Sequence, residues 1–274
     1  MNLNQFAKNN RFLMLALDHR GSFKKLMNPE NPDSVSDGEA IELKKDIINS
    51  LVDQFSGVLI DQGIGLKAYQ KRKKPFLLPV EQSGYTEKKG ERITEIKYTV
   101  DDLKADGAGG AKILLYFNPS VPSAKVQLHT AKRVLQECKE KNFPLFLEIR
   151  VYKPDTGDEI GTDVEQLVLG SLNAFKENNI NPHVWKLEYP GSFEGCKKIT
   201  KIIGNTPWIL LTKGSSFEDF VGMLKEASSA GCKGFLAGRA LWQEVGRLQG
   251  EEKQNFLSKT LPERFKKISE VVLA

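Results

Sequence analysis

Eight short apolar segments, separated by longer amphipathic ones, constrain the fold of this 274-residue chain more than any other feature. Each segment is almost continuously hydrophobic, which is typical of strands buried on both faces, as in a parallel sheet. In chain order they are FLMLALD (12–18), GVLID (57–61), FLLPVE (76–81), AKILLYF (111–117), PLFLEIR (144–150), VWKLEY (184–189), WILLT (208–212) and GFLAG (234–238).

Helical patterns follow these strands, with apolar residues recurring at the spacing of one helix face. They cover about 37–55, 93–105, 121–142, 162–178, 192–203, 216–230 and 240–248, and a last helix covers about 252–271. Eight strand–helix units predict a single-domain (β/α)8 TIM barrel over residues 1–274, with an extra C-terminal helix. A doubly wound open sheet is the alternative, but no GxGxxG motif follows the first strand. The longest irregular insert near that strand is predicted at 27–37.

Composition excludes several classes of protein. Forty basic and 35 acidic residues give a net charge of +5, which is too small and too evenly spread to indicate a nucleic-acid partner. The three cysteines, Cys138, Cys196 and Cys232, are isolated, which favours a reducing compartment and no structural zinc. With neither a secretory signal nor an apolar run of about 20 residues, a cytoplasmic protein without a membrane partner is expected. The apolar stripe of the last helix predicts either a cap on the barrel or a homo-oligomer contact.

Charged side chains interrupt the apolar strands near their C-terminal ends, where barrel enzymes place their active sites. Lone buried charges are rarely tolerated, so a cluster of them needs an explanation. The residues concerned are Asp18, His19, Arg20, Asp61, Glu81, Lys112, Glu148, Arg150, Lys186 and Glu188.

Two lysines are the most informative of these residues. Lys112 and Lys186 lie on the fourth and sixth strands, with Glu148 on the fifth strand between them. If all three point inward, two ammonium groups share one carboxylate, and like-charge repulsion with burial would lower a lysine pKa. A neutral amine of this kind can form a Schiff base with a ketone. The alternative that stays open is a structural Lys–Glu–Lys ion network.

The loops after the last two strands predict a phosphate site. Gly214 and Ser215 stand where a loop enters a helix, so free backbone N–H groups there could hold an anion. Gly238 would allow close approach of a ligand, and Arg239 could contact it in a bidentate way. These two loops are the usual phosphate-binding position in a TIM barrel.

The distribution of histidines in the sequence does not favour a zinc site. Its three histidines, His19, His129 and His183, are expected on different parts of the barrel and do not converge on one point. A magnesium ion held by Asp18, Asp61 or Glu81 stays open as an alternative.

The motifs together resemble the class I aldolases of the tagatose-1,6-bisphosphate aldolase group, whose relatives include the sulfofructosephosphate and 6-phospho-5-dehydro-2-deoxygluconate aldolases. The similar segments are LALDHRGSF (15–23), PVEQSG (79–84), AKILLYF (111–117), LEI (147–149), VWKLE (184–188) and GFLAGRALW (234–242). This resemblance implies a (β/α)8 barrel and a Schiff-base mechanism that needs neither a metal nor another cofactor. The Asp-His-Arg-Gly-Ser-Phe and Pro-Val-Glu motifs are most similar to the last of these relatives.

The resemblance also implies roles for individual residues. By motif position, Lys186 is the Schiff-base lysine, Lys112 the second active-site lysine, Glu148 the acid/base, Asp18 the first-strand acid, and Gly238 and Arg239 the phosphate loop. Lys112 would then lower the pKa of Lys186 by its charge. Arg150 departs from the expected pattern, and either Arg20 or Arg150 is predicted to meet a second anionic group.

The expected activity is cleavage of a phosphorylated ketose to dihydroxyacetone phosphate and an aldehyde. Two alternatives stay open. One is a transaldolase, which passes the three-carbon unit to an acceptor aldehyde. The other is a non-catalytic regulator that keeps the ligand site of the barrel.

Overall fold

Eight parallel strands close into a barrel in this computed structural model, which describes residues 2–158 and 160–274. The predicted TIM barrel is thereby confirmed. Consecutive barrel strands are neighbours, and the last pairs with the first. The barrel strands are β1 (Phe12–Leu17), β2 (Gly57–Ile60), β3 (Phe76–Pro79), β6 (Gly110–Phe117), β7 (Leu145–Val151), β8 (Val184–Leu187), β9 (Trp208–Leu211) and β10 (Gly234–Ala237); β4 (Thr86–Lys88) and β5 (Glu91–Ile93) form a separate antiparallel hairpin.

Helices surround the barrel, and several of them begin at a serine or threonine cap that the sequence supplies. Ser36, Thr99 and Ser216 each accept a hydrogen bond from the amide three residues further on, which fixes the first turn of a helix. The helices are α1 (Gly21–Met27), α2 (Asp37–Leu51), α3 (Ile64–Ala68), α4 (Val100–Ala105), α5 (Ala124–Glu140), α6 (Val164–Glu177), α7 (Phe193–Ile203), α8 (Phe217–Ser229), α9 (Arg239–Trp242), α10 (Gly250–Asn255) and α11 (Leu261–Leu273), the last two joined by a π-helical turn (Phe256–Thr260).

Two predicted helices have the wrong extent, and two short helices were not predicted. The helix expected over 93–105 begins only at Val100, because Glu91–Ile93 instead pairs with Thr86–Lys88 in the hairpin. The irregular insert expected at 27–37 is confirmed, because residues 28–36 hold only a short 3₁₀ segment at Pro32–Ser34 between α1 and α2. The short helices α1 and α3 were not predicted. The helix expected over 240–248 is a single α-turn, α9, followed by a 3₁₀ segment at Gln243–Gly246.

Strand alternation divides the barrel interior into an apolar layer and a charged layer. A small apolar cluster includes Ala16, Leu77, Phe146 and Val184, which are fully or almost fully buried. Side chains two residues apart on a strand share a face, so continuing two or four positions from these residues reaches the acidic and basic side chains at the strand ends. The apolar cluster therefore fills one end of the barrel, and the charges lie toward the C-terminal mouth.

The C-terminal helix packs on its own barrel. Helix α11 buries Leu261, Phe265, Ile268 and Val272, and the Phe265 ring lies 5.4 Å from that of Phe235 on β10, between centroids. The predicted extra helix is thus present, and its apolar face is covered within the chain. A homo-oligomer stays a prediction. Among the helices described, none has both the length and the apolar character that crossing a membrane requires.

Candidate active site

A cavity of about 450 Å³ opens at the C-terminal mouth of the barrel. Its wall includes Asp18, Glu81, Lys112, Glu148 and Lys186. The strand ends thus bring together three acids and two amines, which the sequence separates by up to 168 positions.

Lys186 lies on β8 with its side chain only 6% exposed. Its ammonium donates a hydrogen bond of 2.7 Å to Glu148 Oε2 on the neighbouring strand, and strand register pairs these same two residues. Glu188 accepts hydrogen bonds instead from Arg150 Nε at 2.7 Å and Lys213 Nζ at 2.6 Å. Lys186 is therefore paired with an acid of the cavity wall rather than with its near neighbour in sequence.

Lys112 on β6 is surrounded by acids. Its ammonium lies 2.5 Å from Glu81 Oε1, 3.1 Å from Asp18 Oδ2 and 3.5 Å from Glu148 Oε2. Burial by itself would lower the pKa of Lys112, but these three carboxylates outweigh it and raise that pKa well above its usual value. The premise that two ammonium groups share one carboxylate was wrong, because two lysines share three acids.

The three acids respond differently to the same lysines. Burial would raise the pKa of Asp18 and of Glu148, but the adjacent lysines hold both pKa values below their ordinary values. In Glu81 burial prevails over the contact with Lys112 and raises the pKa. Glu81 Oε2 is also buried without a hydrogen-bond partner.

Glu81 was considered from the sequence only as a magnesium ligand, and its contact with Lys112 was missed. The available signal was its position directly after the apolar strand FLLPV, at the same barrel mouth as the other acids. Sequence alone could not show which amine it would meet, because strand tilt decides which positions lie opposite one another.

His19 adds a neutral group beside Asp18. Burial lowers the pKa of His19 to about 4, with Arg239 contributing in the same direction and Asp18 opposing it. The imidazole packs edge-on against Trp242, with ring centroids 5.2 Å apart, and its Nδ1 is buried without a hydrogen-bond partner. At neutral pH His19 is therefore an uncharged side chain on the cavity wall.

Arg239 and Gly238 line the cavity where β10 ends. A side chain at Gly214 would place its Cβ only 3.1 Å from the Arg239 guanidinium carbon, so glycine leaves room for this arginine. Gly214 also has a φ of +80°, a conformation that glycine adopts readily. The Ser215 amide donates to the Thr212 carbonyl at 2.9 Å, so the loop itself satisfies this group.

The two arginines considered for a second anionic group have different partners. Arg20 lies at the start of α1, and its Nη2 donates to Gln62 Oε1 at 3.3 Å. Arg150 is held by Glu188, as described above, and both arginines line the cavity. Both arginines were predicted at the cavity mouth, but the sequence does not show which of them would bind the second anionic group.

Asp61, one of the three acids considered for magnesium, belongs to a different buried site. It accepts a 2.5 Å hydrogen bond from Lys44 of α2 and further bonds from the amides of Gly63, Ile64 and Gly65. In the part of the chain that the structure describes, no three His, Cys, Asp or Glu side chains are grouped so as to hold a metal ion.

The chain matches the family described as DeoC/LacD family aldolase over residues 12–244. The tagatose 1,6-diphosphate aldolase of Staphylococcus aureus strain RF122 is 30% identical over 271 residues, covering 87% of this chain and 83% of the relative. The enzyme of the same name from strain Newman gives the same identity and coverage.

Solved structures show a similar fold. A Schiff-base-forming fructose-1,6-bisphosphate aldolase studied through its reaction intermediates superposes with a TM-score of 0.69 and 20% identity, over 99% of this chain and 98% of that one. An archaeal fructose 1,6-bisphosphate aldolase gives a TM-score of 0.70 and 19% identity, over 99% and 97%. At 19% and 20% sequence identity, these superpositions show that the chain shares the barrel fold.

Proposed function

Because the chain belongs to the DeoC/LacD family of aldolases, we propose that it cleaves a phosphorylated ketose through a Schiff base on Lys186. The products would be dihydroxyacetone phosphate and an aldehyde. The family match confirms the predicted resemblance to class I aldolases and the predicted aldehyde-lyase activity. The name of the staphylococcal relatives makes tagatose 1,6-bisphosphate the first substrate to test.

The observation that carries this proposal is the 2.7 Å contact between Lys186 Nζ and Glu148 Oε2 on the wall of an open cavity. An ammonium group is not a nucleophile, so the lysine must first lose a proton. Glu148 is within reach to accept that proton and would then become a carboxylic acid beside the reacting carbon.

The first half of the proposed reaction forms the Schiff base. The neutral amine of Lys186 attacks the C2 ketone, giving a carbinolamine. Glu148 returns its proton to the carbinolamine hydroxyl, which leaves as water, and an iminium remains on Lys186. Glu148 is again a carboxylate at the end of this step, as the proton balance requires.

The second half breaks the C3–C4 bond. Glu148 accepts the proton of the C4 hydroxyl, the aldehyde leaves, and the bonding electrons pass through C3 to the iminium, giving an enamine. The same proton is then delivered to C3, and water hydrolyses the new iminium to release dihydroxyacetone phosphate. Lys112 remains a cation throughout and would orient substrate hydroxyls together with Asp18.

The phosphate of the substrate is assigned to Arg239 and Gly238, which line the cavity after β10. Gly214 and Ser215 were also predicted to bind it. Gly214 now has a proposed indirect part, because it leaves room for the Arg239 guanidinium, whereas the Ser215 amide is already bonded to the Thr212 carbonyl. Binding energy from the phosphate would hold C2 against Lys186.

An assay of tagatose 1,6-bisphosphate cleavage in a strong chelator tests the proposal. Release of dihydroxyacetone phosphate without an acceptor aldehyde is expected, and added metal should not increase it. Turnover only with an acceptor would indicate the transaldolase alternative. A folded protein with no turnover on any ketose phosphate would favour the regulator alternative.

A further inference from the structure

His19 lies on the cavity wall, and the proposed reaction gives it no part. Its side chain is 21% exposed, although its Nδ1 is buried without a hydrogen-bond partner. In the part of the chain that the structure describes, Nε2 has no hydrogen-bond partner either, but this nitrogen is not buried. Nε2 is therefore the polar atom that the imidazole presents to the cavity.

Packing fixes this imidazole beside the end of β10. A Cβ at Gly238 would lie 3.3 Å from His19 Cε1, the carbon that joins the two ring nitrogens, so glycine is what allows this approach. The ring packs edge-on against Trp242, whose Nε1 donates to the Ala16 carbonyl at 3.1 Å. The carbonyl of His19 accepts a hydrogen bond of 2.7 Å from Lys44 Nζ. Both the ring and its backbone are thus held next to Gly238, where the substrate phosphate is proposed to bind.

The charges around His19 favour its neutral form in the free protein. Burial is the largest of the causes that lower its pKa to about 4, and three cations add to this effect against one carboxylate. These charged groups are Arg239 of α9, Lys44 of α2, Lys186 of β8 and Asp18 at the end of β1. The next residue, Arg20, donates instead to Gln62. An anion bound at Arg239 would therefore oppose the cations that keep His19 uncharged.

A neutral imidazole carries a single N–H and can donate on one side only. On the Nδ1 side stands Asp18 Oδ1, at 3.9 Å, which is longer than a hydrogen bond. A phosphate held by Arg239 would add acceptor oxygens on the cavity side, where Nε2 lies. An imidazolium has an N–H on both nitrogens and so suits both neighbours. A phosphate monoester also carries a charge of about −1.5 to −2 at pH 7, which exceeds the single positive charge of Arg239.

We infer that His19 binds the phosphate of the substrate and takes up a proton from solvent as it does so. In the complex Nε2–H donates to a phosphate oxygen, and Nδ1–H faces Asp18. The proton returns to solvent when the phosphate leaves, so His19 takes no part in breaking the C3–C4 bond. This inference rests on the proposed function, since that proposal places the phosphate at Gly238 and Arg239.

Nitrogen NMR at pH 7 on protein labelled with ¹⁵N-histidine tests the charge of His19 directly. The chain has three histidines, and the other two, His129 on α5 and His183 directly before β8, lie away from the cavity wall and serve as internal controls. The probe is glycerol 3-phosphate, which has the phosphate but no ketone and so forms no Schiff base. We expect both His19 nitrogens to move to the imidazolium position with this probe, and to stay those of a neutral ring with glycerol.

The pH dependence of binding gives a second, independent measurement. His19→Gln keeps a neutral N–H donor but cannot take up a proton, and His129→Gln is the matched control. Since uptake of one proton changes affinity by up to about tenfold per pH unit, the affinity of the wild type for glycerol 3-phosphate, divided by that of His19→Gln, should fall at least about tenfold from pH 6 to pH 8. Titration of the probe itself cancels in this ratio. His129→Gln should follow the wild type.

Three results would overturn the inference: a neutral His19 in protein saturated with glycerol 3-phosphate, the same pH dependence in the wild type and His19→Gln, or no binding of the probe. Borohydride trapping with dihydroxyacetone phosphate separates these results from failure of the proposed function. A trapped adduct together with a neutral His19 would contradict only the role of His19. Absence of an adduct in the wild type would contradict the aldolase mechanism itself.

Discussion

Two buried lysines of this barrel have similar surroundings but different access to the cavity. Lys44 is fully buried and donates to Asp61 Oδ2 and to the carbonyls of Leu17 and His19, so all three of its N–H groups are used. Lys186 is also buried against a carboxylate, but it lines the open cavity.

The acids near these two lysines also differ in how completely they are hydrogen-bonded. Asp61 receives three backbone amides as well as Lys44, so both of its oxygens are satisfied inside the protein. The cavity cluster instead leaves Glu81 Oε2 without a hydrogen-bond partner. Burial of a lysine–carboxylate pair therefore does not identify a nucleophile. Exposure to a cavity and incomplete hydrogen bonding distinguish the proposed active-site cluster from the Lys44–Asp61 pair.

The largest effect is expected at Lys186. Replacing Lys186 with Met keeps most of the apolar stem but removes the nucleophile, so kcat for ketose cleavage should fall at least about 10⁴-fold. Thermal unfolding should change little, because Glu148 keeps its contact with Lys112. Normal turnover in this variant would remove Lys186 from the mechanism.

The same substitution at Lys44 should have the opposite result. Lys44→Met leaves the buried Asp61 carboxylate without its cation, which typically costs about 3–5 kcal/mol of unfolding free energy. Urea denaturation measures this loss, while kcat of the folded fraction should stay near that of the wild type. Lost activity with unchanged stability would contradict the assignment of Lys44–Asp61 as the structural pair.

A smaller effect is expected at the phosphate end of the cavity. Arg239→Ala removes a charged hydrogen-bond donor, worth about 1.5–3 kcal/mol, so KM for the ketose phosphate should rise roughly 10- to 100-fold. Steady-state kinetics should show a smaller change in kcat. Arg247→Ala, a substitution of an exposed arginine nearby, is the control. An unchanged KM in Arg239→Ala would show that this side chain does not bind the phosphate.

The smallest effect concerns pH. The pKa of His19 is about 4 in the folded chain and 6.5 in its ordinary state, so between these values the unfolded state binds more protons. The contribution of His19 to stability is complete above pH 6.5 and is lost as the pH falls toward 4.

For His19→Gln, the loss of unfolding free energy between pH 7 and 5 should be about 1 to 2 kcal/mol less than in the wild type. Denaturation at the two pH values measures the difference, with His129→Gln as a control. If the unfolding free energies of His19→Gln and of the wild type changed equally between pH 7 and pH 5, burial would not be holding this imidazole neutral.

Much of the architecture could be predicted from local pattern. The eight apolar runs identified the barrel strands, because strands buried on both faces need nearly continuous hydrophobic sequence. The strand-end charges identified the cavity mouth, and Lys112, Glu148 and Lys186 do meet there. The hairpin of Thr86–Lys88 and Glu91–Ile93 was missed because three-residue strands carry too short a pattern to detect.

The pairing of charges could not be predicted in the same way. Lys44 lies on a helix with an ordinary amphipathic pattern, and nothing local shows that it reaches Asp61. Glu81 meets Lys112 through the relative placement of β3 and β6, where Pro79 stands opposite Lys112. Such contacts depend on how distant elements pack, so they appear only once the barrel is closed.

Borohydride reduction in the presence of dihydroxyacetone phosphate, followed by peptide mass spectrometry, identifies the lysine that forms the Schiff base. We expect a covalent three-carbon phosphate adduct on Lys186 and none on Lys44 or Lys112. An adduct on either of those lysines, or none in a folded protein, would contradict the assignment of Lys186 as the Schiff-base nucleophile.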